Sequence, residues 1–177
     1  MKKILSIIFI LLAFFILYFL QSNFFTWFNM AGIMPNLYVI FVLFIGLFGK
    51  KKLGLIFGII FGLYLDIVLG KVVGISSLIL GLIGFLGEIL SKNFSKDSRF
   101  TLMIMVIGAT IIYEIGLYII NILKMNAPVE ILGFIKILLI ETLFNVIITI
   151  IIYPLMQKMG YHLENTFEEK VMLTRFF

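Results

Sequence analysis

Apolar runs recur along almost the whole of this sequence, broken only by short clusters of charge and turn residues. That pattern limits the fold more than any single residue does. A soluble chain confines its apolar residues to one face of each element, whereas here whole segments are apolar all round. With 63% apolar and 13% charged residues and a mean hydropathy of +1.22, the surplus apolar surface must face lipid.

A helix crossing a bilayer takes about 20 predominantly apolar residues. Six segments qualify, at 4–20, 33–49, 53–69, 72–90, 100–123 and 131–156. The second and third are short and separated only by Lys50, Lys51 and Lys52. A lysine triplet in mid-bilayer is costly, so two spans joined by a tight turn at Gly49 are expected rather than one long helix. The fold class read from this pattern is an all-α, polytopic integral membrane protein of six transmembrane helices forming a single domain over 1–156. Residues 157–177 follow as a short amphipathic tail. There Asn165 and Glu168 have the spacing of a capping box, and Phe167, Val171 and Thr174 recur at helical spacing. Such a tail lies on the membrane or docks on a cytoplasmic partner.

Lys2 and Lys3, Lys50 to Lys52, Lys92, Lys96 and Arg99, and Lys158, Lys170 and Arg175 all fall on one side of these spans. Only Lys71 and Lys124 fall on the other, while Lys136 lies within the last span. The positive-inside rule therefore places both termini in the cytoplasm. The formal charge of +5 reflects this topology and does not point to nucleic acid. The first run is longer than a signal-peptide core, and 21–25 (QSNFF) lacks a small-x-small cleavage site, so it is read as a retained span. Phe24, Phe25, Trp27 and Phe28 after it form an aromatic anchor at the outer interface.

Cysteine is absent and His162 is the single histidine. Disulfides, thiolate or multi-histidine metal sites and intramembrane serine–histidine triads are thereby excluded. What the spans do carry is small and polar residues in register. Gly54, Gly58, Gly62, Asp66 and Gly70 step by four along the third span; Gly74, Ser77, Gly81, Gly84 and Glu88 step by three or four along the fourth. Such bare faces let membrane helices approach closely, so these glycines are read as the packing seam of an antiparallel pair. Glu88 with Lys92 reads as a surface ion pair.

Thr110, Glu114, Tyr118 and Asn121 share a face of the fifth span; Glu141, Asn145, Thr149 and Tyr153 share one of the sixth. At 1.5 Å of rise per residue, Asp66 and Glu114 both lie roughly 20 Å from the cytoplasmic end, and Glu141 falls near the same level. Asp66, Glu114, Glu141, Asn145 and Lys136 are thus expected to form one intramembrane polar layer, with Lys136 nearer the outer surface. Three roles are open to it: a clamp that fixes helix packing, a contact with another protein's transmembrane helix, or a proton- or cation-coupled transport site.

The order of these pieces resembles the rod shape-determining protein MreD family. The resemblance is carried by Pro35-Asn36-Leu37, by the stretch GIIFGLYLD at 58–66 with Gly70 and Gly74 after it, and by Glu141, Asn145 and Tyr153-Pro154-Leu155. It implies a non-enzymatic, cofactor-free protein of the bacterial plasma membrane that maintains rod cell shape. Its companions would be membrane lipid, a single-span MreC-like protein, the actin-like MreB and the wall synthases, with room for a homodimer in a larger assembly. The family's fold is also thought similar to the substrate-binding subunits of energy-coupling-factor vitamin transporters, which makes such a subunit the alternative. Those subunits usually carry small-residue docking motifs on span one, where this chain offers only Ser6 and Ala13.

Overall fold

The computed structural model describes residues 2–49, 52–70, 72–94, 98–125 and 130–167. The expected turn at Lys50 and Lys51 and the tail beyond Phe167 lie outside them. Within them the chain is helical and no strand forms. α1 (Lys2–Phe19) widens into a π-helical turn at Leu20–Phe24 and a last helical turn at Phe25–Trp27. The helices α2 (Leu37–Phe48), α3 (Leu53–Val68), α4 (Ile75–Asn93), α5 (Arg99–Met125) and α6 (Ile131–Phe167) follow. The segments containing α1, α4, α5 and α6 are long and apolar enough to cross a membrane; α2 and α3 are shorter.

α2 differs most from expectation. The run 33–49 yields a helix of only 12 residues, about 18 Å long, and every one of those residues is buried. A helix apolar on all sides seeks the interior, and α2 has contacts with α1, α3, α4, α5 and α6 around it. The chain reaches it through a tight turn in which Met30 and Ile33 exchange backbone hydrogen bonds of 3.0 Å each. Ala31 and Gly32 take left-handed conformations there.

The centre is closed by backbone-to-backbone contact. α3 and α4 run antiparallel, with Gly54 against Gly84, Gly58 against Leu80 and Gly62 against Ser77. Gly46 of α2 and Gly87 of α4 join the same crossing, so three helices meet where side chains are absent. Gly81 sits beside this seam, and the atoms nearest to a Cβ built there belong to the side chains of Ile59 and Leu55. Gly70 and Gly74 do not belong to it, contrary to the stepwise pattern. Both have positive φ and nothing stands within 4 Å of a Cβ built there, so they serve the α3–α4 turn. At the other end of α3, the Lys52 N–H donates to Glu88 Oε2 at 2.9 Å, while Lys92 Nζ lies 3.6 Å from Glu88 Oε1. Glu88 thus holds the start of α3 as well as its own neighbour.

α1 and α6 are attached through side chains. Ser6, Ile10 and Phe14 of α1 are buried at a step of four, and Phe14 stacks on Phe61 with centroids 3.9 Å apart. α6 continues through Pro154 to Phe167 without a break. Asn165 is consequently inside a helix, which corrects the expected separate start of a tail helix there. Met156, Gly160, Leu163 and Phe167 are buried at spacings of three and four, and the bare Gly160 lies against the Phe48 ring. That packing carries the helix past the polar residues that had suggested an end.

Candidate functional site: a polar cavity at the start of α2

Because α2 begins inside the bundle, its first backbone groups cannot rely on bulk water. Non-helical backbone at such depth persists only where protein or a water-lined cavity satisfies it. Side chains from two other segments do so here, Gln21 from the π-helical turn and Asn145 from α6. The Asn36 N–H donates to Asn145 Oδ1 at 2.7 Å, and the Leu37 N–H donates to Gln21 Oε1 at 3.1 Å. Gln21 Nε2 donates in turn to the Pro35 carbonyl at 2.6 Å. Asn36 is itself the N-cap, accepting from the Val39 N–H at 3.3 Å. Asn145 Nδ2 reaches Thr110 Oγ1 at 2.9 Å, and Thr110 donates to the Val106 carbonyl at 2.9 Å. Asn145 and Thr110 are fully buried.

Asp66 does not join this group, although its depth matches. Its carboxylate accepts from the Gly74 N–H at 2.8 Å and the Ser76 N–H at 3.2 Å. It therefore pins the α3–α4 turn and the first turn of α4, where a carboxylate also suits the helix dipole. The expected layer divides into a turn clamp at Asp66 and a separate cluster of Glu114, Glu141 and Asn145. Lys136 is exposed on α6 and is not among the residues lining the cavity beside that cluster.

That cavity has a volume of about 560 Å³. Gln21, Thr26 and Pro35 line it from the α1–α2 connection, Tyr38 from α2, Ser76 from α4, Tyr113 and Glu114 from α5, and Glu141 from α6. The carboxyls of Glu114 and Glu141 adjoin, with Asn36 and Asn145 beside them. Glu141 is buried and its Oε1 has no hydrogen-bond partner among the described residues. An adjoining pair of carboxyls at the wall of a recess offers acceptors to an incoming hydrogen-bond donor or cation.

Reading the sequence alone singled out Glu114, Glu141, Asn145 and Thr110 but gave no site role to Gln21, Tyr38, Tyr113 or Ser76. It also passed over Gly46 and Gly87. Gly46 had a usable signal, as the one residue without a side chain in an otherwise bulky α2. Gln21 had one too, as the first polar residue to end a long apolar run.

Fold and site together define an all-helical membrane protein with a glycine-packed centre and a polar cavity where its buried second helix begins. Among known families, the model for rod shape-determining protein MreD matches residues 1–159, nine-tenths of the chain, and the chain belongs to that family. No curated protein and no solved structure matches it. The family acts in rod shape determination, as part of the shape-determining complex with MreC and MreB.

Proposed function

We propose that this protein is a non-enzymatic scaffold of the cell-wall elongation machinery, crossing the bacterial plasma membrane six times with both termini in the cytoplasm. It would assemble with a single-span MreC-like protein and the wall synthases, and hold a partner segment in the cavity at the start of α2. The cavity carries this reading: it is bordered by the segment joining α1 to α2, and it presents the Glu114–Glu141 pair to whatever enters. Under the positive-inside reading this end faces outward, where a partner with a membrane-proximal outer segment would meet it. The short helix α2 would complete its crossing through the half-buried connection at 33–36.

The test is recovery of partners from native membranes with the tagged full chain, comparing wild type with Glu114→Gln/Glu141→Gln. Removing the charge of the pair while keeping its shape should lower recovery of the MreC-like protein about tenfold or more, with the protein still inserted. Undiminished recovery would show that the partner does not use this cavity. Recovery of a paired ATPase and a second polytopic subunit in place of wall proteins would establish the transporter alternative.

A further inference from the structure

At the opposite end of the bundle, α1 and the extension of α6 diverge around a recess of about 290 Å³. Its lining residues are Leu5, Ser6 and Phe9 from α1 and Lys158, Met159 and His162 from α6. Lys158 and His162 are one turn apart on one face of α6. Neither side chain makes a hydrogen bond or ion pair with another described residue. Ser6 is 2% exposed, and its Oγ is buried without a hydrogen-bond partner among the described residues. A lone hydroxyl at such a place leaves a donor unused, which folded proteins avoid unless a water, ion or ligand completes it. Lys3 stands one turn before Ser6 on α1 and adds a further positive charge to the same face. Glu164, the nearest acidic residue along α6, lies on the other side of that helix.

The recess therefore combines a lysine and an imidazole unpaired among the described residues, and a hydroxyl without a partner among them, with walls of Leu5, Phe9 and Met159. The lysine calls for an anion, to which an imidazole N–H can also donate, while the walls are too apolar for a small hydrated one. Beyond the recess, Leu5, Ile8, Leu12 and Ile16 leave an exposed apolar strip on α1, along which an acyl chain can lie. Basic pockets between helices at a membrane surface are a recurrent site for anionic lipid head groups. We infer that this recess binds an anionic phospholipid, its phosphate held by Lys158, His162 and the Ser6 hydroxyl and its chain laid along α1. The site is separate from the outer cavity; only its assignment to the cytoplasmic leaflet rests on the topology proposed above.

The experiment is native mass spectrometry of the full chain released from detergent, with phosphatidylglycerol or phosphatidylcholine of identical acyl chains added. Wild type should retain one phosphatidylglycerol at least about fivefold better than phosphatidylcholine, given the usual contribution of a basic residue at an anionic surface. Lys158→Gln/His162→Gln should abolish that preference and Ser6→Ala should weaken it. Lys92→Gln, which removes a lysine already paired with Glu88, should leave it intact. Equal retention of both lipids by wild type, or an undiminished preference in the double variant, would overturn the inference. Displacement of the lipid by millimolar inorganic phosphate would also overturn it, since the recess would then be reading phosphate and not a lipid. None of these readouts involves a protein partner, so the result is independent of whether the outer cavity binds one.

Discussion

Gly54→Ala tests whether backbone contact closes the centre of this bundle. An alanine Cβ at position 54 would stand 2.5 Å from Gly46 Cα, 2.5 Å from Gly84 O and 2.8 Å from Gly46 N. Ordinary van der Waals contact begins at 3.4 Å, so α3 would have to withdraw from α2 and α4 at once. All three obstructing atoms are backbone, and no rotamer change relieves them. Overpacking of this kind costs about 1–3 kcal/mol, and the two-sided clash places Gly54→Ala near the upper end, at about 3 kcal/mol. Alanine's better helix propensity returns up to about 1 kcal/mol. Gly108→Ala supplies the control, since Gly108 lies within α5 and nothing stands within 4 Å of its Cβ position. It receives the propensity gain alone, so subtracting the two variants leaves the overpacking cost of about 3 kcal/mol. The assay is reversible unfolding of the purified chain in mixed micelles on titration with dodecyl sulfate, followed by helical circular dichroism. A Gly54→Ala variant within about 0.5 kcal/mol of Gly108→Ala, the usual scatter of neutral substitutions, would refute the close three-helix crossing.

Two further perturbations separate the polar devices. Asp66→Asn keeps one acceptor oxygen for the two N–H groups of Gly74 and Ser76, so one N–H loses its partner, at about 1–3 kcal/mol. Hydrogen exchange should quicken at Gly74 or Ser76 and not at Asn36, and unchanged exchange at both would remove Asp66 from the turn. Asn145→Ala leaves the Asn36 N–H without its acceptor and should cost about 2–4 kcal/mol in the same micelle titration. Thr110→Val should cost only about 1 kcal/mol, because Thr110 receives a single bond from Asn145. Equal effects of the two would mean that Asn145 is not what anchors the start of α2.

The helices and the glycine seam were legible because each is a repeat along one helix. A step of four stacks residues on one face whatever that face meets, and Gly54, Gly58 and Gly62 carry that step in the chain itself. The place of α2 was not legible. A helix apolar on every side has no preferred face to read, so the sequence could not say that it sits in the middle or that its crossing is shared with irregular chain. The polar layer failed for a related reason. Rise per residue gives depth but not azimuth, and Asp66 shares a level with Glu114 while reaching toward Gly74, eight residues ahead in its own turn. Local hydrogen bonding took precedence over the long-range cluster because the α3–α4 turn exposes N–H groups that a nearby carboxylate can satisfy. At Asn165 the capping pattern was present but idle. Capping residues begin a helix only where no helix already passes, and the burial of Leu163 and Phe167 carries α6 through that point.

These contacts divide the molecule into parts held by different forces. In α2, α3 and α4, glycine backbones meet directly, and an alanine at Gly46, Gly54 or Gly84 meets backbone that has nowhere to go. That centre is rigid because packed interiors accommodate extra volume poorly. α1 and the π-helical turn after it are held instead by side chains. Ser6, Ile10 and Phe14 are buried, Leu17 and Tyr18 pack beside them, and Gln21 is bonded to the start of α2. Much of the remaining surface of α1 is exposed and apolar. The two ends of that segment mark the two recesses: Gln21 borders the polar cavity and Ser6 borders the basic one. A ligand or partner seated in either recess therefore meets α1 or the turn that continues it on one side. On the other side it meets the bundle, through the Glu114–Glu141 pair in the polar cavity and through α6 in the basic one. On the scaffold role proposed above, contacts made at either recess would act on α1 and leave the glycine crossing, which no side chain opens, as it is.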